Sequence, residues 1–364
     1  MRDDQPVPQE RESTRRRGTR SLFGLFIAVV AIGLPAAFLY PGVRLAWEIL
    51  RTPTQPMVLN KWDTMRLKSL RRSLVNNVDL VREDAYATAG GMRLSYLDIQ
   101  PAQYPFELNV QAGEGDVSVA YRYEFDREIV PESPRGLVFV LHGYGMFKEA
   151  MLPWGLALAK HGYRTVLVDL PAHGASSPTL ARFGRADAAL LEELIRKVRA
   201  TAEMDGHFTA VVGCSYGATL ALHLDPEACR LESIVAIAPF GDLNESLRGF
   251  VSGLSLPVPD HAIRVAAFLV RTWVGTDGLQ FRRRGAPGPS VLFLRPEHDF
   301  VTSAEQFARL VENTYPGAAT RDLPGIGHME SGLPFAESVS GVLGFLDAAA
   351  ERWSVPSEEP CPDT

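Results

Sequence analysis

Five short apolar runs recur along the chain, and a segment long enough for a helix separates each run from the next. They are Leu137–Leu141, Thr165–Val168, Phe208–Val212, Ile234–Ile237 and Val291–Leu294. A strand that is buried on both faces has this pattern, because no face of it meets water. Alternation of such strands with helices is typical of βαβ units. The sequence therefore predicts an α/β fold with a mostly parallel central sheet flanked by helices.

Upstream of these runs, two segments alternate between apolar and polar residues. They are Phe106–Val110 and Val117–Tyr123. Alternation with a period of two is typical of a strand with one buried face. We expect these two strands to pair in an antiparallel edge.

The N-terminal region contains an uncharged apolar segment, Leu22–Tyr40, which continues without charge to Val43. About 20 such residues, each rising about 1.5 Å along a helix, span the hydrocarbon core of a bilayer. The segment therefore predicts a transmembrane anchor over residues 21–43, with residues 22–43 in contact with lipid.

Basic residues set the expected orientation of this anchor. Five arginines lie between residues 11 and 20, whereas only Arg44 and Arg51 follow the apolar segment closely. The positive-inside rule predicts a cytoplasmic tail over residues 1–20 and a folded domain outside the cytoplasm, either periplasmic or extracellular. A second basic cluster in residues 61–72 weighs against this orientation. A cleaved signal peptide and a buried core helix are the alternatives to an anchor.

The rest of the chain divides into three predicted parts. Residues 44–103 are a juxtamembrane connector with a helical pattern between Trp62 and Val78. The folded domain covers residues 104–352, and a flexible tail covers residues 353–364.

Composition excludes several classes of function. The formal net charge is −6, so neither nucleic acid nor another polyanion is an expected partner. The three cysteines, Cys214, Cys229 and Cys361, form no CxxC pair and have no histidine at metal-ligand spacing. Neither a disulfide scaffold nor a metal site is predicted, and at most one pair of cysteines could form a bridge.

The run Gly213-Cys214-Ser215-Tyr216-Gly217 follows a predicted strand and precedes good helix formers. The two glycines stand where side chains would collide in a sharp strand-to-helix turn, which would present the serine hydroxyl at a helix N-terminus. A serine needs a base, an acid that orients the base and donors for an oxyanion before it becomes a good nucleophile. Ser215 is the predicted nucleophile, and a chance match to the pattern is the alternative.

A second motif, His142-Gly143-Tyr144-Gly145, follows the first apolar run. Together with the Ser215 motif it resembles the α/β-hydrolase superfamily, in which this loop and the residue after the nucleophile each donate one oxyanion amide. The resemblance implies an α/β-hydrolase fold and an oxyanion hole formed by the backbone amides of Tyr144 and Tyr216.

A third motif, Val168–Ser176, is similar to the turn after the next strand in many members of the superfamily. The family uses this turn for loop packing. The resemblance therefore implies that Asp169 and His173 are structural.

The superfamily places its acid after a later strand, and its histidine after the acid. Asp299 best fits the acid position in the sequence that follows Val291–Leu294, and Glu297 is the alternative. His328 lies in a glycine-hinged loop before the terminal helical segment, where the superfamily keeps its general base. His298 lies too close to the acid to turn back onto it.

Two other histidines are weaker candidates for the base. His223 and His261 lie in helical patterns, where a histidine is more often an ordinary surface or core residue. A triad supplies its own base, acid and electrostatics, so we expect no cofactor.

The insertion of residues 241–289 is longer than a simple crossover, and its apolar positions predict helices that cap a pocket. Such a cap favours an apolar acyl substrate. The alternatives are that the insertion is ordinary packing surface or that it touches the bilayer.

The resemblance covers roughly residues 136–350 and is nearest to the serine aminopeptidase or monoacylglycerol-lipase-like group. It implies a membrane-anchored serine hydrolase that cleaves an ester, a thioester or an amide through an acyl-enzyme intermediate. Dehalogenase and epoxide hydrolase chemistry would need an aspartate at position 215. The alternative from another class is a catalytically silent, membrane-tethered binding module with the same fold.

Overall fold

The computed structural model describes residues 34–51, 64–113, 116–125, 127–201, 204, 206–273, 281, 283–284 and 288–354. Its helices are α1 (Leu34–Leu50), α2 (Thr64–Asn77), α3 (Leu152–Lys160), α4 (Arg185–Thr201), α5 (Tyr216–His223), α6 (Pro226–Cys229), α7 (Leu243–Gly253), α8 (Asp260–Trp273), α9 (Ala304–Thr314) and α10 (Ala336–Ser354). Its strands are β1 (Val81–Ala87), β2 (Arg93–Ile99), β3 (Phe106–Gly113), β4 (Asp116–Tyr123), β5 (Gly136–Leu141), β6 (Tyr163–Val168), β7 (Thr209–Cys214), β8 (Ser233–Ile237), β9 (Ser290–His298) and β10 (Ala319–Gly327).

Eight strands form one sheet in the order β1-β2-β6-β5-β7-β8-β9-β10. The five predicted apolar runs are the five consecutive strands β5 to β9, and every pair of neighbours from β6 to β10 is parallel. The prediction of a mostly parallel sheet flanked by helices is confirmed.

The sheet is buried on both faces, which explains the apolar runs. In β5, Leu137, Phe139 and Leu141 belong to the hydrophobic core on one face, while Val138 and Val140 belong to the core on the other. Helices α4, α5 and α9 pack on the first face, and α2, α3 and α10 pack on the second. The carboxyl ends of the parallel strands therefore meet at one edge, where the loops that follow them converge.

The predicted antiparallel pair is also present. Strands β3 and β4 pair antiparallel from Phe106 opposite Tyr123 to Gly113 opposite Asp116. They form a separate two-stranded sheet and do not extend the edge of the main one.

The prediction that residues 44–103 form a connector outside the folded domain needs correction. Strand β2 pairs antiparallel with β6, and β1 pairs with β2, so both strands extend the main sheet. Leu94, Leu97 and Ile99 are fully buried in this part of the sheet. The folded domain therefore begins before residue 104, and helix α2 packs on it.

Among the described residues, no helix combines the length and the apolar character that crossing a bilayer requires. Residues 1–33, with the predicted tail and most of the predicted anchor, lie outside the described residues. Residues 34–43 form the first part of α1. In the predicted C-terminal tail, residues 353 and 354 end α10 and the remainder lies outside the described residues.

A buried ionic network joins strand β1 to the rest of the folded domain. The Lys148 ammonium is 1% exposed, and its Nζ lies 2.7 Å from Asp169 Oδ2 and 3.0 Å from Glu83 Oε1 of β1. Asp169 also accepts hydrogen bonds from the amides of Lys148 and Ala175, at 2.7 and 2.9 Å. Asp169 is thus a structural residue in this network.

We predict that Lys148→Met destabilises the fold by about 3 to 5 kcal/mol, because it leaves the buried Asp169 carboxylate without its ion-pair partner. The matched control is Arg295→Met, which breaks an ion pair with Asp322 at the surface and should cost about 1 kcal/mol or less. Urea unfolding of the two variants measures the difference. Equal losses of unfolding free energy in both would contradict the structural role of the network.

Candidate active site

Ser215 lies in the sharp turn between β7 and α5. Its backbone is in the left-handed region, with φ 48° and ψ −111°, which costs free energy for any residue other than glycine. A Cβ at Gly213 would lie 2.5 Å from the Gly217 carbonyl, and a Cβ at Gly217 would lie 2.5 Å from the Leu141 oxygen. Only glycine fits at either position, as the sequence predicts.

Three of the predicted side chains meet at the carboxyl edge of the sheet. Ser215 Oγ lies 2.9 Å from His328 Nε2. On the other side of the imidazole, His328 Nδ1 lies 3.0 Å from each carboxylate oxygen of Asp299. The side chains of His328 and Asp299 are 7% and 4% exposed, so water competes little for these hydrogen bonds.

Local hydrogen bonds distinguish Asp299 from the alternative acid. Asp299 Oδ1 accepts from the amides of Val301 and Thr302, each at 2.8 Å, and so its carboxylate is held toward His328. Glu297 is exposed and accepts instead from the Gly325 amide at 2.8 Å. Asp299 is therefore the acid that reaches the histidine.

The alternative histidines lie in different surroundings. His298 is exposed at the end of β9. His223 is buried and stacks on Phe281 with 4.2 Å between ring centroids. His261 stacks on Phe38 at 4.0 Å.

The loop after β5 lies directly beside Ser215. A Cβ at Gly143 would come within 3.6 Å of the Ser215 Cβ. The amides of Tyr144 and Tyr216, the predicted oxyanion donors, have no acceptor among the described residues. Tyr216 is the first residue of α5, and the first amides of a helix have no hydrogen-bond acceptor within the helix.

The side chains of these two tyrosines have positions that the sequence does not reveal. The Tyr144 hydroxyl donates to the Ile49 carbonyl of α1 at 2.5 Å. The Tyr216 hydroxyl donates to Asp187, whose carboxyl is buried, and this burial raises the pKa of Asp187. Each hydroxyl thus bonds to a neighbouring element, and this bond helps to fix the position of the backbone amide of the same tyrosine.

Two buried histidines bond to the loops that follow β5 and β6. His173 Nε2 accepts from the Gly145 amide at 3.2 Å, and His142 Nε2 accepts from the Leu170 amide at 3.1 Å. Burial lowers the pKa of His142 to about 4 and that of His173 to about 3. Both rings are therefore neutral at pH 7, as an accepting nitrogen requires. His173 is structural, and His142 has a similar role that the sequence motif did not reveal.

A cavity of about 570 Å³ opens above Ser215 and His328. Its walls are mostly apolar and come from α1, the loop after β5, helix α7 with its flanking loops, and the loops that follow β6 and β9. They include Leu45, Ile49, Tyr144, Met146, Phe183, Phe240, Leu243, Leu247, Phe250, Val251, Leu256 and Val301. The sequence predicts the wall that α7 provides, because α7 lies in the predicted cap. It does not predict the wall that α1 provides.

The described residues contain no group of histidine, cysteine and acidic side chains that could hold a metal ion. Cys214 and Cys229 are both buried as free thiols. Cys361 lies outside the described residues.

We predict that the free energy of unfolding falls as the pH is lowered from about 6.5 to 4. The unfolded chain protonates His142 and His173 from about pH 6.5, whereas the folded chain resists protonation until about pH 4 and 3. His142 alone then contributes a loss of roughly 3 kcal/mol by pH 4. Urea unfolding across this range should show a weaker pH dependence for His142→Gln than for the wild type. His298→Gln, a change at an exposed histidine, is the control, and an equal pH dependence in all three proteins would contradict the account.

Solved structures of other proteins share this architecture at low sequence identity. An esterase from Pyrococcus furiosus is 16% identical, with a TM-score of 0.56 over 82% of this chain and 98% of that one. The α/β hydrolase GrgF from a Penicillium species is 17% identical, with a TM-score of 0.52 over 74% of this chain and 99% of that one. At such identities the likeness shows the fold.

A curated relative matches a shorter stretch of sequence. It is the dihydrolipoyllysine-residue acetyltransferase component of the acetoin cleaving system of Cupriavidus necator, 34% identical over 154 residues. The match spans 40% of this chain and 40% of the length of that relative. The sequence model of the alpha/beta hydrolase family matches residues 137–354, more than half of the chain and the part that contains Ser215, Asp299 and His328. The chain belongs to the alpha/beta hydrolase family.

Proposed function

We propose that the protein is a serine hydrolase that forms an acyl-enzyme intermediate on Ser215. The observation that carries the proposal is the hydrogen-bonded series from Ser215 through His328 to Asp299 at the floor of an apolar cavity. A hydroxyl in this arrangement can pass its proton to the imidazole, and the carboxylate stabilises the imidazolium that forms.

In the proposed reaction, Ser215 Oγ attacks the carbonyl carbon of the substrate while its proton moves to His328 Nε2. The carbonyl oxygen becomes an oxyanion that accepts from the amides of Tyr144 and Tyr216. When the carbonyl reforms, the bond to the leaving group breaks and His328 protonates that group. Water then attacks the acyl-enzyme by the same route and releases the acid.

The cavity supports an apolar acyl group as the part of the substrate that enters it. Its volume is within the range of pockets that bury small ligands, roughly 300 to 1,000 Å³. The similar Pyrococcus furiosus protein is named as an esterase, which favours an ester as the first substrate to test over a thioester or an amide. The assignment to the serine aminopeptidase or monoacylglycerol-lipase-like group rests on the motifs alone.

The proposal includes an N-terminal membrane anchor over residues 21–43, with the catalytic domain outside the cytoplasm. Its support is the uncharged apolar sequence and the excess of arginine before it. A silent binding module is disfavoured, because each residue that the chemistry needs is present and within hydrogen-bonding distance of the next.

We predict that a fluorophosphonate probe labels the full-length protein covalently and that Ser215→Ala abolishes the labelling. With short p-nitrophenyl esters, His328→Ala should lower kcat/KM by about three orders of magnitude or more, because the base is removed. His298→Ala is the matched control and should retain activity within about twofold. Undiminished labelling of the Ser215→Ala protein would remove the basis of the proposal.

A second pair of variants tests the choice of acid. Asp299→Asn should lower kcat by about two to four orders of magnitude, because the amide no longer stabilises the imidazolium. Glu297→Gln should change kcat by about twofold or less, since Glu297 is exposed and bonds to the Gly325 amide. Steady-state kinetics on the same esters compares them, and the reverse order of effects would assign the acid to Glu297.

A further inference from the structure

Large apolar side chains that remain exposed are concentrated on one part of the molecule. Of the 13 such side chains among the described residues, nine lie on α1, on α8 or in the loop between α7 and α8. We call these nine the α1–α8 surface: Phe38, Leu39, Tyr40, Val43, Trp47, Leu254, Leu256, Phe268 and Trp273. A concentration of exposed apolar side chains on neighbouring elements of a folded protein is typical of a site of interaction.

Helices α1 and α8 pack closely, so their exposed residues share one surface. A Cβ at Gly42 of α1 would lie 2.5 Å from the Val265 Cβ and 3.0 Å from the Ala262 oxygen of α8. The Phe38 ring stacks on His261, also of α8. Phe268 lies three residues beyond Val265, on the same side of the helix.

This surface lies beside the mouth of the cavity. The C-terminal end of α1 lines the cavity through Leu45, Glu48 and Ile49, while Trp47, which lies between them in the sequence, is 50% exposed. Leu256 both lines the cavity and is 43% exposed. One helix therefore carries the exposed apolar side chains and a wall of the cavity.

The sequence before α1 indicates what covers the surface. The uncharged apolar segment that begins at Leu22 runs directly into α1 and continues to Val43. The exposed set includes Tyr40, Trp47 and Trp273, aromatic residues of the kind that are enriched where a membrane meets water. The side chain of Arg44, on the same helix, is exposed, and a long basic side chain of this kind can reach lipid headgroups.

We propose that the α1–α8 surface rests on a lipid bilayer and that the substrate is an acyl ester of a membrane lipid, which enters the cavity from the bilayer past α1. This inference rests on the proposed serine hydrolase function. The acyl chain would pass along Leu45 and Ile49 toward Ser215, while the polar headgroup stays near Glu48 and Arg51 at the mouth. Ser215 Oγ bonds to the acyl carbon as the ester C–O bond breaks, the lipid alcohol takes its proton from His328, and water then releases the fatty acid.

The test uses the full-length protein in vesicles of phosphatidylcholine and phosphatidylglycerol, with two substrates. One is water-soluble p-nitrophenyl butyrate, and the other is a fluorogenic oleoyl ester that resides in the bilayer. The double variant Trp47→Glu/Phe268→Glu changes two exposed side chains, neither of which lines the cavity. We expect hydrolysis of the oleoyl ester to fall about tenfold or more, because both side chains lose their burial in lipid.

Hydrolysis of the soluble ester by this variant should stay within about twofold, which also shows that the protein is folded. The matched control is Trp353→Glu/Phe125→Glu, since Trp353 is 49% exposed and Phe125 is 44% exposed, outside the surface. The control should hydrolyse both esters at the wild-type rate within about twofold. An equal loss on the oleoyl ester in both double variants would overturn the inference.

The outcomes separate this inference from the proposed function. If the wild type hydrolyses the soluble ester but not the oleoyl ester, the function stands and the inference fails. If it hydrolyses neither, the proposed function itself fails. If the Trp47→Glu/Phe268→Glu protein only changes from a dimer to a monomer, with both activities kept, the surface binds a second copy of the chain and the inference is overturned.

A direct measurement of contact complements the kinetics. Lipids brominated on their acyl chains quench tryptophan fluorescence at short range. The difference in fluorescence between the wild type and the Trp47→Phe variant is the emission of Trp47, and brominated vesicles should quench this emission strongly. The emission of Trp353, obtained in the same way from the Trp353→Phe variant, should be unquenched. Quenching of both or of neither would overturn the inference.

Discussion

The strand-to-helix turn at Ser215 sets the position of the rest of the site. Its backbone adopts a left-handed conformation that a non-glycine residue occupies at a cost in free energy. The turn forms because Gly213 and Gly217 carry no Cβ, which lets the start of α5 rest against its own strand and against the end of β5. The same close contact brings the Gly143 loop beside the serine. The hydroxyl, the free amides and the helix N-terminus therefore meet at one point.

Much of this could be predicted from the sequence, because the signals are local. Strands β5 to β9 are buried on both faces, so their apolar runs stand out without any knowledge of their neighbours. The motif around Ser215 and the loop containing His328 are also local, since each needs particular residues next to one another. The sequence favours Asp299 as the acid but leaves Glu297 as an alternative, because the amides from which each carboxylate accepts hydrogen bonds are visible only in the structure.

Other features depend on contacts between distant parts of the chain. Strand β1 has the sequence VREDAYA and mostly exposed side chains, so it lacks the apolar run of an inner strand. The pairing of Lys148 with Asp169 and Glu83 joins residues that are far apart in sequence. The same holds for Tyr144 and the Ile49 carbonyl, through which α1 becomes a wall of the cavity. Sequence alone assigned α1 to an anchor and a connector, and only the packing shows its place beside the site.

The central claim is that Ser215 carries the acyl group during turnover. The most direct measurement is to stop the full-length enzyme with acid while it turns over an acyl ester, digest it, and locate the added acyl mass by mass spectrometry. The account predicts one acylated site, at Ser215, that disappears once the substrate is exhausted. Stable acylation at another residue would contradict it. So would turnover without any acylated peptide, measured with saturating ester and at a low pH that slows deacylation.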